Sequence, residues 1–101
     1  MSTPAPLLAG KVALATGATR GLGRATAQAL SEAGATVIVS SRKADQCEAV
    51  AQEISASTGT PAHPLPLHVG DWDAIEPAVD RIVADHGSLD VVVNNAGIAP
   101  L

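Results

Sequence analysis

Between residues 12 and 26 the chain reads VALATGATRGLGRAT, with glycines at 17, 21 and 23 and arginines at 20 and 24. Glycine removes the Cβ that keeps a phosphate away from a backbone, and it permits a tight turn from strand to helix. A helix that begins after such a turn offers unpaired N–H groups and the positive end of its dipole. Apolar run, glycine turn and helix together describe a cradle for an anion. The spacing is Gly-x-x-x-Gly-x-Gly. It differs from the common Gly-x-Gly-x-x-Gly dinucleotide fingerprint. No Gly-Lys-Ser/Thr follows, as a nucleoside-triphosphate loop requires. A glycine turn with no ligand is the other reading of this segment taken alone.

A second signal lies at SSRK, residues 40–43. In dinucleotide folds the end of the second strand meets the adenosine ribose. An acid there binds the 2′-hydroxyl and repels a 2′-phosphate, and an arginine does the reverse. Ser41 takes the acid's place, Arg42 and Lys43 follow, and Arg20 can approach from the glycine turn. Two cations opening a helix oppose its dipole, so they are poorly explained as a solvated surface. A phosphate explains them better.

The charge distribution agrees. Net charge is −4, which argues against a general nucleic-acid binder. Residues 1–43 hold Lys11, Arg20, Arg24, Arg42 and Lys43 against Glu32 alone, while residues 44–101 hold Arg81 against nine acids. That asymmetry suits a local site for a small anion. The single cysteine, Cys47, excludes an internal disulfide and offers no metal-ligand pattern. It lies on the apolar stripe of a predicted helix and reads as a packed thiol. No apolar run is long enough to span a membrane. MSTPAPLLAG lacks the basic and apolar regions of a secretory signal. A reduced, cytoplasmic setting is expected, with residues 1–10 a flexible tail and 11–101 one dinucleotide-binding domain.

The elements that must position these residues follow from periodicity. KVALAT, 11–16, reads as a buried strand. Residues 21–33 form a helix whose apolar stripe is Leu22, Ala25, Ala29, Leu30 and Ala33, stopped by Gly34. ATVIVS, 35–40, is a second strand. Residues 43–57 are a second helix, burying Cys47, Val50, Ala51 and Ile54. AHPLPLHV, 62–69, carries Pro64 and Pro66, whose missing N–H groups point to one side, so it must be an edge strand. Asp73 to Glu76 resembles a capping box. A helix follows to about His86 with Ile75, Val79 and Ile82 inward and Pro77 delaying its first turn. LDVVVNN, 89–95, is a fourth strand. Strands alternating with helices imply a parallel sheet with right-handed crossovers, an α/β, Rossmann-like doubly wound fold. The absence of Tyr and Phe leaves a core of Ala, Val, Ile and Leu.

Thr16-Gly17-Ala18-Thr19-Arg20-Gly21-Leu22-Gly23 resembles the glycine motif of the short-chain dehydrogenases/reductases, and Asn94-Asn95-Ala96-Gly97 resembles that family's NNAG motif. The resemblance runs from Lys11 onward, and SSRK with Leu67-His68-Val69-Gly70 is most similar to NADP(H)-linked carbonyl reductases. It implies four strands in the order 3-2-1-4 and a cofactor that is NADP(H) rather than NAD(H). It places the pyrophosphate on the backbone of Gly17, Gly21, Leu22 and Gly23, and the adenosine ribose and its phosphate near Thr19 and Arg20. Ser41 and Arg42 would select the 2′-phosphate, and His68 and Val69 would flank the adenine. Asn94, Ala96 and Gly97 would line the nicotinamide-side ribose. The complete enzyme would transfer hydride between nicotinamide and a carbonyl or alcohol, as a homo-oligomer.

The departures are equally informative. The family's Ser and Tyr-x-x-x-Lys catalytic residues come later in the chain; this sequence has no tyrosine, and its two lysines, Lys11 and Lys43, come too early. These 101 residues alone are therefore expected to bind cofactor without catalysing hydride transfer, with no catalytic residue and no metal site. The competing reading is a truncated, non-catalytic nucleotide-binding or interaction module. His68 stands where an acid or amide is more usual.

Overall fold

The computed structural model describes residues 7–68 and 72–95. Its elements are β1 (Val12–Thr16), α1 (Gly21–Glu32), β2 (Thr36–Ser41), α2 (Ala44–Thr58), β3 (Ala62–Pro66), α3 (Trp72–His86) and β4 (Val91–Asn94). The strands form one parallel sheet in the order β3-β2-β1-β4, as expected. Val12 pairs with Thr36 on one side, and Ala13 pairs with Val91 on the other. All five β1 residues are buried, which is why that segment reads as a continuous apolar run.

β3 is an edge strand for the reason its prolines give. Pro64 and Pro66 lie opposite Val39 and Ser41, and the Leu67 N–H donates to the Ser41 carbonyl at 2.8 Å. The inward N–H positions thus fall on the residues between and after the prolines, and the prolines turn their missing donors outward.

α1 presents a different face from the one its periodicity suggests. Its buried residues are Gly23, Ala27 and Ser31, whereas Leu22 is 78% exposed and Ala25 and Ala29 are also exposed. Close approach decides the rotation. The helix can sit against the glycine turn only through Gly23, so the small residues in register with it face the sheet. Ser31 is accommodated by a hydroxyl–hydroxyl hydrogen bond to Thr58 of 2.7 Å.

α3 also differs at its start. It is helical from Trp72, so Asp73 lies within the first turn rather than capping it, and Pro77 sits inside without delaying the helix. The proline costs only the bond to Asp73, near an end where carbonyls and donors are already being exchanged for solvent. Ile82 is buried as expected, with Ala78 beside it, and Ile75 and Val79 are half-buried. Residues 7–10, expected within the tail, form turns: the Leu8 N–H donates to the Ala33 carbonyl at 2.8 Å, and Leu8 packs against the core. Residues 1–6 lie outside the described residues.

Candidate functional site

The strand-to-helix turn assigns separate work to its glycines. Gly17 and Gly21 have φ of 58° and 59°, the left-handed region that costs other residues about 1–2 kcal/mol. Gly23 is needed for space: a Cβ there would lie 1.9 Å from the Gly17 carbonyl oxygen. The turn is held from the neighbouring strand, because the Ala18 N–H donates to the Ser40 carbonyl at 3.1 Å. α1 then begins with Arg20 at its N-cap, in extended conformation, with no side-chain capping bond and no acid in the first turn. The first N–H groups of the helix thus receive no side-chain cap from Arg20.

The β2–α2 junction supplies the facing wall. Lys43 is the N-cap of α2 and likewise makes no side-chain capping bond. The Lys43 N–H donates to the Ser41 hydroxyl at 3.3 Å, which folds the residues carrying Arg42 and Lys43 into a tight turn. Beneath it the Cys47 sulfur is fully buried and lies 3.2 Å from the Ser41 hydroxyl, a packed thiol as expected.

Between these two junctions lies a cavity of about 480 Å³, lined by Gly17, Thr19, Arg20, Ser41, Arg42, Lys43, Gln46, Leu67 and His68. Among the described lining residues three are cations and none is a carboxylate. Thr19 spans the cavity rim, its hydroxyl donating to Gln46 Oε1 at 3.4 Å. Arg24 is not part of the cluster: it turns to Glu53 on α2 and forms an ion pair between the two helices. The positive charge of the glycine segment therefore reaches the cavity through Arg20 alone.

Gly21 and Leu22 are exposed at the start of α1, outside the cavity lining, and Gly23 is buried beneath the turn. Asn94 stands apart, at the C-terminal end of β4, where it pairs with Thr16 of β1. The Thr16 hydroxyl lies 2.8 Å from Asn94 Oδ1 and accepts the Asn95 N–H at 3.1 Å, so one buried threonine fixes the exit of β4. Val69, Ala96 and Gly97 lie outside the described residues.

Sequence reasoning missed Gln46 and Leu67 and did not rank Lys43 with the site. Gln46 lies three residues after the Lys43 N-cap, one turn along α2, and so returns to the same end of the helix. It also missed Asp90. One carboxylate oxygen, Oδ2, accepts the Val12 N–H and the Ser88 hydroxyl, each at 2.9 Å, while its own N–H donates to the Val12 carbonyl. Those bonds, the Val12 one foremost, with Lys11 nearby, hold its carboxyl below the ordinary carboxylate range. Asp90 thereby pins the start of β4 to β1. Its signal is an acid immediately before three valines.

A parallel β-α-β sheet with a cation-lined cavity at the C-terminal ends of its strands has the architecture of the dinucleotide-binding class. The family model for short chain dehydrogenases matches residues 11–101, and the chain belongs to that family. It is 42% identical over 91 residues to the 3-oxoacyl-[acyl-carrier-protein] reductase of Aquifex aeolicus, covering 90% of this chain and 37% of that protein. A metagenomic short-chain oxidoreductase solved in complex with NADP is 41% identical, with a TM-score of 0.84, over 90% of this chain and 41% of that one. The L-sorbose reductase of Gluconobacter frateurii, solved with NADPH and L-sorbose, is 26% identical with a TM-score of 0.86, over 96% and 37%. The chain thus spans little more than a third of the length of the curated relative compared.

Proposed function

We propose that the cavity between the glycine turn and the β2–α2 junction binds the adenosine end of NADP(H), as the cofactor-binding portion of a short-chain oxidoreductase. The observation that carries this reading is the lining: Arg20, Arg42 and Lys43, with no carboxylate among the described lining residues. Three cations around a neutral Ser41 attract a 2′-phosphate, where an acid would repel it. Each charge-assisted contact contributes about 1.5–3 kcal/mol. The residues present fit the group. Gly23 packs against the Gly17 carbonyl where any side chain would intrude, Gly17 holds a left-handed φ, and the Arg20 side chain caps no helix N–H. Two structural relatives carry NADP or NADPH.

In this reading the backbone of Gly17, Gly21, Leu22 and Gly23 holds the pyrophosphate, and Thr19 and Arg20 face the ribose. Arg42, with Lys43 beside it, neutralises the 2′-phosphate. His68 and Val69 flank the adenine, and Asn94, Ala96 and Gly97 border the nicotinamide-side ribose. Bound nicotinamide would supply hydride to a carbonyl or accept it from an alcohol. The residues here orient the cofactor; with no tyrosine in 101 residues, proton donation falls to groups elsewhere in a complete enzyme. We place that enzyme among cytoplasmic, homo-oligomeric carbonyl reductases, a setting with which the single buried Cys47 agrees.

Titrating the 15N-labelled chain with NADPH tests the placement. The amides of Thr19, Arg20, Gly21, Ser41 and Arg42 are expected to shift together. Shifts centred instead on the groove between α2 and β3, around Ala51 and Ser55, would overturn it.

A further inference from the structure

A second constellation stands between β3 and α3, outside the cation-lined cavity. His63 projects from the edge strand β3, and His86 closes the last turn of α3. Their rings have centroids 4.9 Å apart and planes tilted by 45°, splayed rather than stacked face to face. Both line a groove of about 350 Å³ together with Arg81 and Asp85. His63 is exposed and His86 half-buried, so an ion can reach both.

We propose that His63 and His86 form a two-imidazole site for a borderline divalent metal ion of the Zn²⁺ class. The argument is one of distance. Metal–nitrogen bonds of about 2.0–2.1 Å place each ring centre about 3 Å from the ion. Two imidazoles meeting at an angle between square and tetrahedral then have centres roughly 4.5–5 Å apart. The observed pair stands at that centroid separation. Imidazole is the ligand such ions share. Among the described residues no group of three or more His, Cys, Asp or Glu side chains could hold a metal, so water completes the coordination. Local charge does not oppose the ion strongly, because Arg81 is offset by Asp85 one turn away, at 3.6 Å. An ion held here cross-links the edge of the sheet to the C-terminal end of α3.

The test is calorimetric titration of the full chain with Zn²⁺ in a buffer that does not bind metal, with circular dichroism to verify folding of each variant. One ion should bind per chain, and His63→Gln and His86→Gln should each weaken it at least about tenfold, a loss of about 1.4 kcal/mol. His68→Asn, a change to the remaining histidine, should bind as the unaltered chain does. Zn²⁺ should also raise the melting temperature of the unaltered chain and not of the double variant. No binding by the unaltered chain would overturn the proposal, leaving an aromatic contact only. So would unchanged affinity in either single glutamine variant, or equal loss in His68→Asn.

Discussion

The two faces of the sheet are built differently. Among the described residues, the face under α1 and α2 holds a cluster of ten buried ones, including Ala13, Ala15, Ala27, Val37, Val39 and Ile54. The face under α3 holds four described ones, Val12, Leu14, Ile38 and Ile82. On that thinner side Val83 is 43% exposed and Val92 59%. Alanine and glycine let α1 approach the strands closely, so the first face closes with small side chains. The cation-lined cavity opens at the end of this closed face, where α1 and α2 both begin. The difference shows where precision is required. The glycine turn, β1, β2 and two helices pack as one frame around the cation-lined cavity, while α3 and β4 rest on fewer buried side chains.

Substitutions that probe this contrast should differ in size. Gly23→Ala is the most severe, because the atom it meets is the Gly17 backbone carbonyl, which cannot swing aside. A loss of about 4 kcal/mol or more, measured by urea denaturation, is expected. Retained stability would show that α1 can withdraw from the turn. Ile54→Ala, in the larger cluster, should cost about 3–4 kcal/mol, and Ile82→Ala, in the smaller one, about 2 kcal/mol. Equal losses would erase the distinction between the faces.

A smaller effect concerns how β4 is tied to β1. The Asp90 carboxyl is held below its ordinary value of 3.8, first by the Val12 N–H. A carboxylate depressed on folding stabilises the fold above its unfolded value, and that contribution disappears as pH falls through the folded value. Stability of the unaltered chain should therefore fall as the pH drops below about 4, and Asp90→Asn should flatten part of that fall. Identical acid profiles for the two proteins would remove Asp90 from the account.

Much of this was legible before any coordinates. The seven elements and the proline-marked edge follow from period, branching and missing donors, which are local properties, whereas the strand order rested on the family resemblance. The rotation of α1 was not legible. Periodicity favours Leu22 and Ala25, but a contact of Gly23 with a carbonyl six residues earlier selects the other face, and only the folded turn brings them together. The partner of Arg24 was hidden for a similar reason, since Glu53 lies 29 residues away in sequence. At the cavity, Arg20, Ser41 and Arg42 were marked by residue type and position. Gln46 was hidden because a glutamine early in a helix has no signature of its own until the direction of that helix is known.

The central claim is that the cations between the glycine turn and the β2–α2 junction select a 2′-phosphate, and calorimetric titration of the chain with NADPH and with NADH tests it most directly. NADPH should bind at least about tenfold more tightly at moderate ionic strength. Arg42→Ala should bring the two affinities close together by weakening NADPH while leaving NADH nearly unchanged. Equal affinities of the unaltered chain for the two dinucleotides would contradict the account.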